Sequence, residues 1–178
     1  MNLVTESCTA LTKALPACHL LVYSSLLGTE LYQSFVMTKV CYIALPRSAF
    51  RTLQKRVFPV YFRAQVALVL LSAVTFPPAG IFGLAINRAD WIPHLVAAVT
   101  AVLNLGVYEP QTRQCMIGVA HQETRDAANS SGGTKDESTP DMDKAKRGFS
   151  RAHAMCIHLN LISIGAMLFY GLRLASRL

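Results

Sequence analysis

Charge is scarce in this chain. Only 15% of its 178 residues are charged, whereas a soluble domain usually carries about a quarter. The familiar catalytic signatures are missing as well: there is no Ser-His-Asp order, no Gly-rich phosphate loop and no His-Glu-x-x-His. The five cysteines (Cys8, Cys18, Cys41, Cys115, Cys156) form no Cys-x-x-Cys pair, which argues against a disulfide scaffold and a structural zinc site. Met1–Leu15 holds one Lys and no Arg, too little for a transit peptide. No internal repeat is visible.

What the chain has is apolar length. Hydrophobic residues make up 52% of it and mean hydropathy is +0.35. They concentrate at 14–38, 57–86, 91–108 and 153–172, and a span of a hydrocarbon core about 30 Å thick needs roughly 17 to 25 such residues. The expectation is an all-α, integral membrane four-helix transmembrane bundle, with 1–178 as one transmembrane domain. No small-x-small cleavage pattern follows Leu27, so the first run reads as a retained helix from about Pro16 to Val40, ending at Pro46. The second, 57–86, is interrupted by Pro77-Pro78-Ala79-Gly80, which either kink or end it. Asn87–Asp90 reads as a tight turn, and the third helix covers 91–108. A polar helical extension follows to about residue 128. The Ser-, Gly-, Thr- and Asp-rich stretch 129–143 reads as a disordered cytosolic loop, and the fourth helix covers 153–172.

Lys and Arg set the orientation. The hinge after the first helix holds Arg47, Arg51, Lys55 and Arg56, and the connection between the third and fourth helices holds seven more. That makes eleven against four on the other face, so the positive-inside rule places both connections in the cytosol. The net charge of +7 therefore belongs to membrane edges, and no nucleic-acid partner is expected. The expected partners are the lipid bilayer and anionic lipid, with Arg47, Arg51, Lys55 and Arg56 contributing about 1 kcal/mol each. A second copy or another membrane protein is a further candidate partner.

Polar residues inside the runs share a depth. At about 1.5 Å per residue, Glu30, Arg63, Gln65, Asn104 and Asn160 all fall in a slab on the cytosolic side of the midplane. A charge near the bilayer centre costs roughly 2.5–3.5 kcal/mol on insertion scales and should face a partner. Glu30 is expected to meet Arg63 or Gln65, with Asn104 and Asn160 completing the cluster. The alternative is that Arg63 snorkels while the amides simply hold helices together.

His19 and His94 are the one histidine pair at a common depth, which a metal or haem would need; interfacial hydrogen bonding is the blander role. No catalytic residue, metal or cofactor is expected. Gly28, Gly80, Gly83, Gly165 and Gly171 read as close-packing points.

The hinge Leu45-Pro46-Arg47-x-x-Phe50, then Gln54, then Phe58-Pro59-x-Tyr61-Phe62, resembles the transmembrane protein 205-like family, a domain family of unknown function. His19-Leu20-Leu21, Gly28, Phe35, Glu109-Pro110-x-Thr112, Phe149, His153 and Asn160-Leu161 fit it in order. Ala154 replaces the usual glycine after the helix 4 histidine. The resemblance implies four-helix proteins of the eukaryotic endomembrane system and brings no catalytic residue. The expectation is a non-enzymatic multi-pass component of endomembrane or secretory trafficking, in an endomembrane or the plasma membrane. Its rivals are a small transporter or channel subunit using the Glu30 cluster, and an intramembrane enzyme using His153 and Glu109.

Overall fold

The computed structural model describes residues 2–129 and 139–177, and their side chains over 14–128 and 139–177. Helix α1 (Asn2–Leu31) passes through a π-helical turn (Tyr32–Met37) into α2 (Thr38–Ala44). Helix α3 (Arg47–Val74) and the short α4 (Ile81–Ile86) follow. Helix α5 (Arg88–Leu103) continues through a second π-helical turn (Asn104–Tyr108) into α6 (Glu109–Asn129), and α7 is Pro140–Ala175. The described residues form no strand.

Helix ends depart from the hydropathy reading wherever polar residues extend a helix beyond its apolar run. Leu45 is extended (φ −109°, ψ 144°) and Pro46 opens α3, as the steric demand of X-Pro requires. Arg47–Arg56 is therefore the first turns of a helix rather than a loop. Helix α3 stops at Val74 instead of running kinked to residue 86. Pro77 and Pro78 have no N–H to give a ladder, and Gly80 (φ +61°) turns the chain. The Gly80 N–H donates to the Phe76 carbonyl at 2.6 Å, and a Cβ there would lie 2.7 Å from the Val74 carbonyl oxygen. Asn87 is an N-cap whose side chain accepts from the Ala89 N–H, so Asn87–Asp90 starts α5 and is not a free turn. At the far end, Thr139 caps α7 by accepting from the Met142 N–H, with Pro140 at the first position and Asp141 and Asp143 in the first turn. These are strong N-terminal signals. They place 140–143, part of the stretch expected to be disordered, in a helix, as Asn129 is at the end of α6; residues 130–138 of that stretch lie outside the described residues.

Among the described residues, three helices are long and apolar enough to cross a membrane: Arg47–Val74, Arg88–Ala128 and Pro140–Ala175. The first helix, with His19 and Glu30 in its apolar run, is not among them. In each of the three, only 28–33% of the most apolar window is buried within the protein. Large side chains such as Leu70, Val99, Ile162 and Phe169 point outward. So much exposed apolar surface needs a partner phase, and lipid supplies one.

Helix α7 packs on α5, α6 and α1, and α3 lies against α1 and α5. The core between them is Tyr23, Leu26, Val69, Ala97, Met167 and Tyr170. Gly171 is a close-packing point, since a Cβ there would collide with the Tyr23 hydroxyl, whereas Gly28 and Gly165 face open space.

Candidate functional site

Glu30 is fully buried on α1. One carboxyl oxygen, Oε1, accepts from Gln65 Nε2 at 2.6 Å and from Ser163 Oγ at 2.7 Å. Gln65 Nε2 also faces Ser163 Oγ at 3.2 Å and Asn160 Oδ1 at 3.4 Å. Asn160 accepts from the Tyr61 hydroxyl at 2.7 Å and donates to Ser34 Oγ at 2.7 Å. Glu30 Oε2, Gln65 Oε1 and Asn104 Oδ1 are buried and have no hydrogen-bond partner. Among the described residues no cationic side chain pairs with Glu30.

Of the expected cluster, Glu30, Gln65 and Asn160 come together. Asn104 stands beside them, donating to the Cys156 carbonyl at 3.2 Å. Arg63 does not join: it is exposed on the outer face of α3, two residues from Gln65 and so turned well away from it on a helix. Composition and depth missed Ser34, Tyr61 and Ser163, yet helical spacing could have found them. Each sits three or four residues from Glu30, Gln65 or Asn160, on the same face.

The two π-helical turns set this geometry. The Gln33 carbonyl receives the Thr38 N–H and, at 2.8 Å, the Thr38 hydroxyl. The Asn104 carbonyl receives the Glu109 N–H. Pro110, just beyond, can donate to no carbonyl. One extra residue per turn rotates the following face, a device frequent at functional sites.

A second polar group lies toward the other end. Asp90 is 2% exposed and ion-paired with Arg173 at 3.2 Å and Arg177 at 2.7 Å. His94 Nδ1 donates to the Asp90 carbonyl at 2.8 Å, and Ser72 Oγ bonds His94 Nε2 at 3.1 Å. His19 Nδ1 donates to the Ser72 carbonyl at 3.0 Å, while its Nε2 meets the Tyr170 hydroxyl at 2.5 Å. The two imidazoles stack with centroids 6.4 Å apart. Their nitrogens are thus spent on hydrogen bonds, and among the described residues no group of three or more His, Cys, Asp or Glu side chains could hold a metal ion.

Beside the Glu30 group, a cavity of about 240 Å³ opens between the first π-helical turn, α3 and α7. A separate pocket of only about 20 Å³ is lined by both His153 and Glu109. There Glu109 is 3.5 Å from Arg113 and His153 stacks on Phe149.

At the basic end, Arg47 and Arg56 are exposed and Lys55 is half-buried. Arg51 forks onto Glu123 at 2.5 and 2.8 Å. That hydrogen bond, aided by Lys146 and Arg47, holds the Glu123 carboxyl below its ordinary 4.5. A depressed carboxyl contributes stability above pH 4.5 and loses it as pH falls through the lowered value. With the side chains 30% and 43% exposed, solvent screens the pair to about 0.2–1 kcal/mol. The thermal midpoint of Glu123→Gln should trail wild type at pH 7 and converge with it in acid. A gap that persists well below pH 4.5 would refute this assignment.

No solved structure matches this chain. Over 160 residues it is 44% identical to the "Xanthocillin biosynthesis cluster protein D" of Aspergillus fumigatus, covering 90% of this chain and 88% of that protein. Residues 21–121 match a domain of unknown function, DUF4149, a segment that holds Glu30, Gln65 and Asn104. The chain belongs to the DUF4149 family.

Proposed function

We propose that this is a four-span, non-enzymatic membrane protein, a small transporter component in which the Glu30 carboxyl takes up and releases a proton. The α2–α3 and α6–α7 connections then face the cytosol, and its kinship is with the transmembrane protein 205-like proteins of the endomembrane system. The observation that carries this reading is the unpartnered Oε2 of a fully buried Glu30. Polar groups that only hold helices together satisfy one another. Here Glu30 Oε2 stays open to a proton, while Gln65 Oε1 and, beside the cluster, Asn104 Oδ1 stay open to a hydrogen bond. Between this cluster and the histidine group lie Tyr23 and Leu26 on α1, a short apolar stretch for a gate to open.

The relative's name ties that protein to a biosynthesis cluster, and a membrane component that moves a small molecule would suit such a setting. Trafficking through a basic lipid-binding face has less behind it. Arg51 is held by Glu123, which leaves Arg47, Lys55 and Arg56 for anionic headgroups.

The test is reconstitution into vesicles with a trapped pH-sensitive dye and an imposed potassium diffusion potential. Wild-type vesicles should acidify faster than empty ones, and Glu30→Gln, with unchanged elution in detergent, should fall to the empty-vesicle rate. Equal acidification by wild type and Glu30→Gln would overturn the proposal.

A further inference from the structure

The 240 Å³ cavity beside the Glu30 group has walls, a rim and a polar edge of different character. Phe58, Tyr61 and Phe62 supply aromatic surface. The rim residues Phe35, Ile157 and Leu161 are 54%, 44% and 44% exposed on the apolar outer surface, so entry is sideways from lipid rather than from water. No Lys, Arg, Asp or Glu lines the space, and the one imidazole in its wall is His153, so no fixed charge is there to hold an ion. The polar edge comes from the π-helical turn. Gln33 lines the cavity and is 8% exposed, yet its Nε2 has no hydrogen-bond partner. A buried donor left open is costly, and a ligand that brings an acceptor removes that cost.

From this we infer that the cavity binds a small, neutral, ring-bearing molecule that partitions into membranes and offers a hydrogen-bond acceptor to Gln33. Size fits the class: an apolar cavity of about 150 Å³ takes one benzene ring, so this one admits a ring with a substituent or a second ring. Ser34 and Asn160 form part of the cavity wall and bond each other at 2.7 Å. Asn160 in turn faces Gln65, the donor to Glu30, so an occupant would sit beside the Glu30 group. Binding itself does not require Glu30 to move a proton.

Benzophenone meets the description, with two rings and one carbonyl acceptor, and it cross-links to neighbouring C–H bonds under near-ultraviolet light. The full chain in lipid nanodiscs is irradiated with it and adducts are mapped by mass spectrometry. Adducts should concentrate on Thr38, Ile157 and Leu161. Gln33→Leu should lower their yield about 3- to 10-fold, the worth of one hydrogen bond, and diphenylmethane, which lacks the carbonyl, should compete less well than unlabelled benzophenone by a similar factor. Ile157→Trp, which fills the space, should abolish them, and Glu30→Gln should leave them in place. Adducts spread evenly over Leu70, Val99 and Ile162, unaffected by Gln33→Leu or Ile157→Trp, would show an ordinary lipid-facing groove and overturn the inference. Cross-links joining two copies through this cavity would overturn it as well.

Discussion

Replacing Arg173 and Arg177 together by alanine is expected to destabilise the protein by about 3–5 kcal/mol, the cost of leaving one member of a buried ion pair alone. Asp90 carries a side chain only 3% exposed, and its two oxygens are held by both guanidinium groups. Arg173 lies in the last turn of α7 and Arg177 just past its end, where its backbone N–H donates to the Leu174 carbonyl, so the end of α7 and the turn after it deliver both guanidinium groups to the first turn of α5. Either single substitution leaves a cation in place and should cost far less. Asp90 itself gains some relief from the α5 N-terminus, but a helix end does not replace two guanidinium groups. Adding Asp90→Ala to the double variant should recover most of the loss, because no charge is then left buried. The measurement is unfolding by sodium dodecyl sulfate titration in mixed micelles. A double variant as stable as wild type would show that Asp90 is hydrated, and a triple variant no better than the double would locate the damage elsewhere. The consequence reaches inward, since His94 hangs from the Asp90 carbonyl and Ser72 links His94 to His19.

An all-helical chain with three helices apolar enough to span a membrane was legible in the sequence, because membrane thickness acts on composition alone. Gln65 and Asn160 beside Glu30 were legible for a related reason: depth along a helix follows from counting residues. Depth says nothing of azimuth, so a depth count alone groups Arg63 with residues from which it points away. Arg63 and Gln65 lie at nearly one level but on different sides of α3. Helix ends were hidden for another reason. Thr139-Pro140-Asp141 reads as polar and loop-like until its capping geometry is considered, and Arg47–Arg56 has no apolar run to announce a helix. The π-helical turns left no obvious mark beyond Pro110, yet they give the site its shape. Hydropathy sees how much of a helix is apolar; it does not see which residue an extra turn has rotated inward.

Gln65 is where these features converge, and Gln65→Leu is expected to cost about 3 kcal/mol, the upper end for a buried group deprived of its donor. Its Nε2 donates to Glu30 at 2.6 Å, with Ser163 and Asn160 within reach of its second N–H, so its loss leaves Glu30 with Ser163 as the sole hydrogen-bond donor described. Leucine fills much the same space, which makes the loss one of hydrogen bonding rather than packing. Combining it with Glu30→Leu should return stability toward wild type, with a coupling energy of about 1–3 kcal/mol between the two positions, because buried polar pairs replaced jointly by apolar residues are often neutral or better. Titration with sodium dodecyl sulfate measures all four corners of the cycle, and additive losses would dissolve the idea of a single network. The double variant also separates structure from function. If the cluster only holds helices together, a protein refitted with two leucines loses nothing that matters and behaves as wild type in the vesicle assay. If Glu30 is the proton-exchanging group, the same well-folded variant is silent there, and stability restored without flux is the result that distinguishes a site from a seam.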